Sequence, residues 1–290
     1  MKIKKAVILA AGQGMRMLPA TKTIPKEMLT VVDKPAIQYI VEEVAAAGIE
    51  DILIVTNRAK SAMEDYFDYH PELEEKLARA GKTDELAKIT APAELANICY
   101  LRQKITKGMG HAVWMAKSFV GSEPFAVLSG DDIIVAERPV IGQLIDVAEE
   151  HNAACVGVQR VDRSDIGRYC TLQVEAISDR TYEVKRLIEK PEPEEILSDF
   201  AILGRYILTA DLFDILETIP PGHGGEIQLT DAVNALCRRR RVLACDYIGK
   251  RYDIGNLTGY IETIVDFALR HPESGGPMRQ YIKEKARETE

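Results

Sequence analysis

The order of hydrophobic and polar positions divides the first half of the chain into alternating strands and helices. Lys5–Ala10 and Asp51–Thr56 are short apolar runs, as expected of strands buried on both faces. Ala36–Ala47 has apolar residues at helical spacing and is followed by Gly48, a residue type that commonly ends helices. The same patterns predict strands at Ile98–Arg102, Pro124–Ser129 and Ala153–Gln159, and helices at Met109–Phe119 and Val140–His151. This alternation predicts an α/β fold with a mostly parallel central sheet and helices on both faces.

A charged segment at residues 70–97 interrupts the alternation between the second and third strands. Its sequence includes PELEEKLARAGKTDELAK, which is too polar for a sheet and rich in residues that favour helices. The segment is also longer than an ordinary connection between two strands. We therefore expect a helical insertion here.

The second half of the chain has a more mixed pattern. It predicts strands at Tyr169–Glu175, Tyr182–Ile188 and Ala201–Leu208, and helices at Ala210–Glu217, Ile227–Arg239 and Gly259–Arg270. No internal repeat or low-complexity linker separates the two halves. We therefore expect a single domain over residues 1–290, in which residues 161–290 add a smaller lobe and C-terminal helices to residues 1–160.

Composition and charge narrow the range of functions. The 290 residues, of which 46% are hydrophobic, are enough to bury one large core. The net charge of −8 argues against binding to nucleic acid or to an anionic membrane, but a small phosphorylated substrate needs only a few local cations. The five cysteines form no CxxC pair and no metal-ligand spacing, which predicts reduced thiols in a cytoplasmic protein.

A glycine-rich turn, Leu9-Ala10-Ala11-Gly12-Gln13-Gly14, directly follows the first strand, and Arg16 comes two residues later. Glycines let a backbone approach a ligand closely, and free amides can bind phosphate oxygens. The guanidinium of Arg16 can form two parallel hydrogen bonds with a phosphate. Taken alone, however, such a turn is more often a simple connection between a strand and a loop.

Two common phosphate-binding motifs do not fit the sequence. A dinucleotide fingerprint would need a third glycine at Met17 and then a helix, but Pro19 and Pro25 follow. A P-loop ending at Gly81 would need a glycine at Lys76. The irregular loop after the turn instead supplies lysines, including Lys26, whose compact charge suits a phosphate that changes charge during a reaction.

The segment ILAAGQGMRMLPATKTIPKEMLTVVDKPAIQY, residues 8–39, closely resembles the signature of the bacterial UTP–glucose-1-phosphate uridylyltransferase family. The resemblance continues in order at Gln103–Val113, Glu189–Pro191, Ala201–Leu208, Gly224–Ala232 and Tyr252–Asn256, so it covers nearly the whole chain. It implies a Rossmann-like nucleotidyltransferase fold, Mg²⁺ as cofactor, and assembly as a homodimer or homotetramer.

The resemblance also implies the nucleotide-binding residues. The backbone over the nucleotide would belong to Ala11, Gly12 and Gly14. Arg16 and Lys26 would contact the phosphates as catalytic groups, and Gln103 and Gly108 match the positions that recognise the pyrimidine. An amide side chain such as that of Gln103 offers both a donor and an acceptor, which independently suits uracil.

By the same resemblance, Asp131 and Asp253 would hold Mg²⁺, and Asp131 would also contact the nucleotide. Asp131 follows a predicted strand, at the carboxyl end where open α/β sheets bind their ligands. Carboxylate and phosphate oxygens are the ligands that Mg²⁺ prefers. The adjacent Asp132 is the weaker metal candidate.

The implied sugar-binding residues are Tyr169, Cys170, Glu189, Lys190 and Gly204. Glu189 would accept hydrogen bonds from sugar hydroxyls, and Lys190, the third implied catalytic residue, would contact the sugar phosphate. Cys170 departs from the family pattern, which commonly has glycine there. A cysteine adds a side chain and loses the freedom of glycine at positive φ, so this sugar contact is the least secure.

The implied reaction joins UTP and glucose 1-phosphate to give UDP-glucose and pyrophosphate, by in-line attack of the sugar phosphate on the α-phosphorus. A phosphate monoester has a second pKa of about 6, so this nucleophile is already ionised and needs no general base. Two alternatives remain: a glucose-1-phosphate thymidylyltransferase that uses dTTP, and a catalytically idle regulator that binds nucleotide sugars. The helical insertion favours the uridylyltransferase, and the presence of Lys26, Asp131, Lys190 and Asp253 argues against the idle regulator.

Overall fold

The computed structural model describes residues 1–288, so the last two residues of the predicted lobe lie outside the described part. The strands, in chain order, are β1 Lys5–Leu9, β2 Thr30–Val31, β3 Lys34–Pro35, β4 Asp51–Thr56, β5 Asn97–Arg102, β6 Phe125–Ser129, β7 Asp132–Val135, β8 Ala154–Arg160, β9 Cys170–Ala176, β10 Thr181–Glu189, β11 Phe200–Leu208, β12 Val242–Asp246 and β13 Lys250–Asp253. The helices are α1 Ala36–Ala46, α2 Ser61–Tyr66, α3 Pro71–Arg79, α4 Thr83–Thr90, α5 Met109–Met115, α6 Lys117–Val120, α7 Val140–His151, α8 Leu212–Leu216, α9 Leu229–Leu236, α10 Leu257–Arg270 and α11 Gly275–Glu288.

Nine strands form the central sheet, in the order β5-β4-β1-β6-β11-β8-β12-β10-β9. The four strands β5, β4, β1 and β6 are parallel, as the alternating pattern predicts. β11 then inserts antiparallel between β6 and β8, and β10 and β9 continue antiparallel beyond β12. The sheet is therefore more mixed than the sequence pattern predicts, because β11 joins the two halves of the chain in one sheet.

Side chains alternate between two apolar layers on opposite faces of this sheet. Val7 belongs to a cluster that includes residues of α5, α8 and α9, whereas Ala6 and Ile8 belong to a cluster that includes residues of α1 and α7. Neighbouring residues of a strand point to opposite faces, so a continuous apolar run such as that of β1 fills both layers. The predicted arrangement of helices on both faces is confirmed.

Most predicted elements are present within one or two residues of their expected ends, and the insertion at residues 70–97 contains α3 and α4. The expected helix Met109–Phe119 is divided at Ala116 into α5 and α6. The sequence pattern missed β12, α11 and a two-stranded ribbon formed by β7 and β13. Among residues 1–288, no helix is both long and apolar enough to cross a membrane.

A buried ion pair joins the two halves of the fold. Arg205, on β11, is 0% exposed and places its Nη2 2.6 Å from Glu43 Oε2 on α1. Arg205 also donates to the backbone oxygen of Asp132 at 2.8 Å, and Glu43 accepts from the backbone N–H of Ile141 at 3.0 Å. The pair therefore fixes α1, β11, the start of α7 and the chain immediately after β6 relative to each other.

We predict that Arg205→Met strongly destabilises the protein, because it leaves the carboxylate of Glu43 buried without a charged partner. The expected loss is about 3–5 kcal/mol in the free energy of unfolding, measured by urea titration. Arg138→Met is the matched control, because Arg138 forms an exposed pair with Asp146 and should cost less than about 1 kcal/mol. Equal losses in the two variants would contradict a special role for Arg205.

Candidate active site

The glycine turn lies at the carboxyl end of β1, where the central parallel strands end. Gly14 has φ of 67°, in the left-handed region that favours glycine, and its carbonyl accepts from Thr21 Oγ1 at 2.7 Å. The Asn57 side chain holds the carbonyl of Ala11 at 2.8 Å. A side chain at Gly12 would come within 3.5 Å of Lys26 Nζ. The turn is thus fixed by its neighbours, with Lys26 beside it.

Lys26 forms an ion pair with Asp131, which follows β6. Burial alone would lower the pKa of the Lys26 ammonium, but Asp131 and then Glu27 outweigh it and raise this pKa above its usual value. Burial also opposes the charge of Asp131, but Lys26 and then Arg16 hold the pKa of its carboxyl below the usual value. Both groups are therefore charged at neutral pH.

Arg16, Asp131 and Asp253 meet around Gly255. A Cβ atom added to Gly255 would lie 2.9 Å from Asp131 Oδ2, 3.0 Å from Asp253 Oδ1 and 3.2 Å from Arg16 Nη2. The two predicted metal ligands and a predicted phosphate-binding arginine therefore border the same small space. Asp131 and Asp253 would offer two carboxylates to a metal here. Such a set fits Mg²⁺, which commonly binds one or two carboxylates together with substrate phosphates.

Six of the predicted nucleotide-site residues line one cavity of about 240 Å³: Ala11, Gly12, Lys26, Gln103, Gly108 and Asp131. Gln103 Nε2 lies 3.4 Å from the carbonyl oxygen of Gly108 and 2.8 Å from His111 Nδ1, so the amide is oriented by two neighbours. Gly108 has φ of 98°, and a Cβ there would come 2.7 Å from the backbone oxygen of Ile227. Glycine is required at this position for both reasons.

A larger cleft of about 880 Å³ adjoins this cavity and shares Gly12, Lys26, Gln103 and Thr106 with it. Its positively charged lining residues are Lys22, Lys26, Arg58, Lys60, Arg102 and Lys104. None of its described lining residues is acidic, although the whole chain carries a net charge of −8. Such a cleft favours a ligand with several negative charges, such as a polyphosphate.

Four predicted sugar-site residues lie together at the end of the β9–β10 hairpin. Cys170 is paired with Glu189 in register, and the backbone N–H of Lys190 donates to the carbonyl of Tyr169 at 2.8 Å. Glu189 accepts from Thr230 Oγ1 at 2.8 Å, and burial raises the pKa of its carboxyl. Lys190 has φ of 45°, a conformation that is uncommon for a residue other than glycine and is often found at functional sites.

The Cys170 side chain, in contrast, is part of the apolar core. The residue is 2% exposed and lies in the same cluster as Val7, and burial raises the pKa of its thiol well above the usual value. Its φ is not positive, so the backbone does not need the glycine that the family commonly has there. A sugar could therefore meet the main chain here but not the thiol.

Lys190 and Gly204 have different surroundings. Lys190 lines a separate cleft of about 670 Å³, together with Arg163 and His223. Gly204, with φ of 71°, packs so closely against the end of β6 that a Cβ would come 2.7 Å from Ser129 Oγ. Lys190 is therefore not brought into the cavity that contains Lys26 and Asp131.

Sequence reasoning missed Arg251, which connects the carboxylates to the predicted sugar side. Arg251 Nη2 lies 2.6 Å from Asp132 Oδ1 and 3.8 Å from Asp253 Oδ2, and Nη1 donates to the hydroxyl of Tyr169 at 3.3 Å. Asp132 is thus engaged by an arginine, and burial raises the pKa of its carboxyl to about 6. The signal was available, since residues two apart in a strand point the same way and Arg251 precedes Asp253 by two.

The fold and these positions define a class of protein: the chain belongs to the nucleotidyl transferase family, whose model matches residues 5–268. Enzymes of this family generally depend on a divalent metal. Among curated relatives, a UTP–glucose-1-phosphate uridylyltransferase of Staphylococcus epidermidis is 50% identical over 283 residues, covering 98% of each chain. One of Bacillus subtilis is 52% identical over 272 residues, covering 94% of this chain and 93% of the relative.

Solved structures agree with these relatives. A UDP-glucose pyrophosphorylase from Acinetobacter baumannii is 38% identical, with a TM-score of 0.91 over 98% of this chain and 99% of that one. A UDP-glucose pyrophosphorylase complexed with UDP-glucose is 40% identical, with a TM-score of 0.84 over 93% of this chain and 100% of that one. The predicted fold class and family are confirmed.

We predict that Gly255→Ala lowers nucleotidyl transfer by about 10²-fold, because the added methyl group would displace the side chains of Arg16, Asp131 and Asp253. The measurement is turnover at saturating substrates, with urea unfolding to check the fold. Gly276→Ala is the control, because an added Cβ there meets no atom within 4 Å. Normal turnover of Gly255→Ala would show that this space is not used in the reaction.

Proposed function

We propose that this chain transfers the uridylyl group of UTP to glucose 1-phosphate, giving UDP-glucose and pyrophosphate. The observation that carries the proposal is the convergence of Arg16, Asp131 and Asp253 around Gly255, with Lys26 paired to Asp131. This arrangement borders the cavity that Gln103 and Gly108 line. The names of the relatives, at about half identity over nearly the whole chain, support the same reaction.

Gln103 is the residue that we propose for recognition of the base. Its amide oxygen can accept from the uracil N–H, and its Nε2, held by Gly108 and His111, would donate to a uracil carbonyl by giving up one of these contacts. The backbone of Ala11, Gly12 and Gly14 would cover the nucleotide beside it. This arrangement would place the α-phosphate toward Lys26 and Asp131, which line the same cavity.

The main task of the site is to bring two anions together. The sugar phosphate is ionised at neutral pH, so the chain needs no general base and instead has to offset repulsion and developing charge. Lys26 would exchange its bond to Asp131 for a bond to the α-phosphate, and Arg16 would hold the phosphates beside it. The cationic cleft next to Lys26 would accept the charge of the leaving pyrophosphate.

Asp131 and Asp253 are the residues that would hold Mg²⁺, because their carboxylates face the same space as Arg16. When bound there, the metal would neutralise phosphate oxygens as the charge moves from one phosphate to the next. The release of Asp131 by Lys26 would free a carboxylate oxygen for this role.

On the sugar side, Glu189 would accept hydrogen bonds from glucose hydroxyls, beside the main chain of Tyr169 and Cys170. Lys190 would contact the sugar phosphate only if its side chain or the β9–β10 hairpin moves toward Asp131, because it lines a different cleft in the described structure. Gly204, which has no side chain, would leave room for the side chains of Ser129 and Asp132 beside it.

A pyrophosphate-release assay with glucose 1-phosphate tests the proposed reaction directly. We expect release with UTP and Mg²⁺, and a kcat/KM at least about tenfold lower with dTTP, because the methyl group and the missing 2′-hydroxyl change what the pocket must contact. A preference for dTTP would favour a thymidylyltransferase. No release with either nucleotide, despite measurable binding, would favour a regulator.

We predict that Lys26→Ala lowers kcat more than it raises the KM for UTP, because Lys26 acts where charge develops on the α-phosphate. The expected decrease in kcat is about 10²-fold, the scale for losing one preorganised electrostatic group. Lys22→Ala, which removes another lysine from the same cleft, should affect kcat far less. A change confined to the KM of Lys26→Ala would mean that this lysine only binds ground-state UTP.

A further inference from the structure

The short helical turn Lys26–Met28 carries two ion pairs that point in different directions. Lys26 is paired with Asp131, whereas Glu27 is paired with Lys60, whose Nζ lies 2.8 and 2.6 Å from the two carboxylate oxygens. Lys60 lies immediately before α2, on the loop that follows β4. The second ion pair therefore fastens the turn that carries Lys26 to the loop between β4 and α2.

The Glu27–Lys60 pair is almost inaccessible to solvent. Glu27 is 0% exposed and Lys60 is 4% exposed, so each charge needs the other. Burial raises the pKa of the Glu27 carboxyl and lowers the pKa of the Lys60 ammonium, which shows how strongly the interior opposes both charges. Apolar side chains could fill the same volume without that cost, so stability alone does not explain the pair. An ion pair with two hydrogen bonds, unlike apolar packing, also fixes the orientation of the groups that form it.

Lys26 needs a backbone that is fixed independently of its own ion pair. In the described structure its ammonium is bound to Asp131, and transfer of the nucleotidyl group requires it to leave that carboxylate for a phosphate. The backbone of the turn must then stay in place without help from Asp131. The Glu27–Lys60 pair can provide this, because it is made by the adjacent residue and does not involve Asp131.

We propose that Lys60, acting through Glu27, is a positioning residue that fixes Lys26 for transfer to the α-phosphate. Lys60 borders the cationic cleft, but its ammonium is occupied by Glu27 and almost buried, so its role is to hold the turn and not to bind phosphate. The inference rests on the proposed function, since it concerns the step in which Lys26 changes partner.

The test uses variants that keep the net charge and the packing but remove the oriented ion pair. Glu27→Met combined with Lys60→Met removes both charges together and leaves neither carboxylate nor ammonium unpaired. We expect this double variant to fold, to lose about 10-fold to 10²-fold in kcat, and to change the KM for UTP less than about twofold. Lys60→Arg, which keeps a cation for Glu27, should recover most of the kcat.

The matched control is Lys34→Met combined with Glu42→Met, which removes another close ion pair, at 2.5 Å, on α1 and the strand before it. It should turn over at the native rate. A correctly folded Glu27/Lys60 double variant with native kcat would overturn the positioning role. If the double variant does not fold, Glu27→Asp decides: its shorter side chain should lower kcat several-fold at an almost native KM, and a native kcat would reject the inference.

The native chain separates this inference from the proposed function. If the native protein releases no pyrophosphate from UTP and glucose 1-phosphate, the proposed function fails. If the native protein and the folded double variant release it at the same rate, the proposed function stands and only the positioning role is rejected.

Discussion

The geometry of the site depends on the buried ion pair between Glu43 and Arg205. This pair joins α1 to β11, and its hydrogen bonds reach the start of α7 and the carbonyl of Asp132. Because both charges are buried, small displacements are costly and the four segments are held together. The chain after β6, which carries Asp131, is therefore held in position by the core.

The electrostatics of the site are local and independent of the net charge of the chain. Six cations line the cleft beside the nucleotide cavity, of which Lys26 and Lys60 are paired with Asp131 and Glu27. Asp132 and Asp253 each lie close to Arg251. Every acidic group that could receive a metal is thus already balanced by a cation. Arrival of a metal and a phosphorylated substrate, whose charges are opposite, would redistribute these pairs.

Much of this arrangement could be predicted from the sequence, because continuous apolar runs and helical spacing are local signals. These signals located the strand ends that carry the glycine turn and Asp131. The matching motifs indicated Lys26 and Asp253 as candidate site residues. Arg205 and Lys60 could not be assigned in the same way, because each acquires its role from a partner distant in the sequence, Glu43 and Glu27, that no local pattern indicates. The spacing of Arg251 to Asp253 was a local signal, but its bond to Asp132 was not. The mixed order of the sheet was missed for the same reason, since β11 pairs with strands on both sides that only the tertiary fold brings together.

The ribbon of β7 and β13 has a consequence for how the chain acquires activity. It pairs Asp132 with Asp253, residues about 120 positions apart, and so brings the segments of the two proposed metal ligands together only when distant parts of the chain have met. Contacts of such long sequence separation form late, because the entropy of closing a large loop must be overcome first. A refolding or newly synthesised chain would therefore regain most of its helices and the local β9–β10 hairpin before Asp131 and Asp253 are brought together. Enzyme activity would appear only when the fold is complete, whereas circular dichroism would detect the secondary structure that forms earlier.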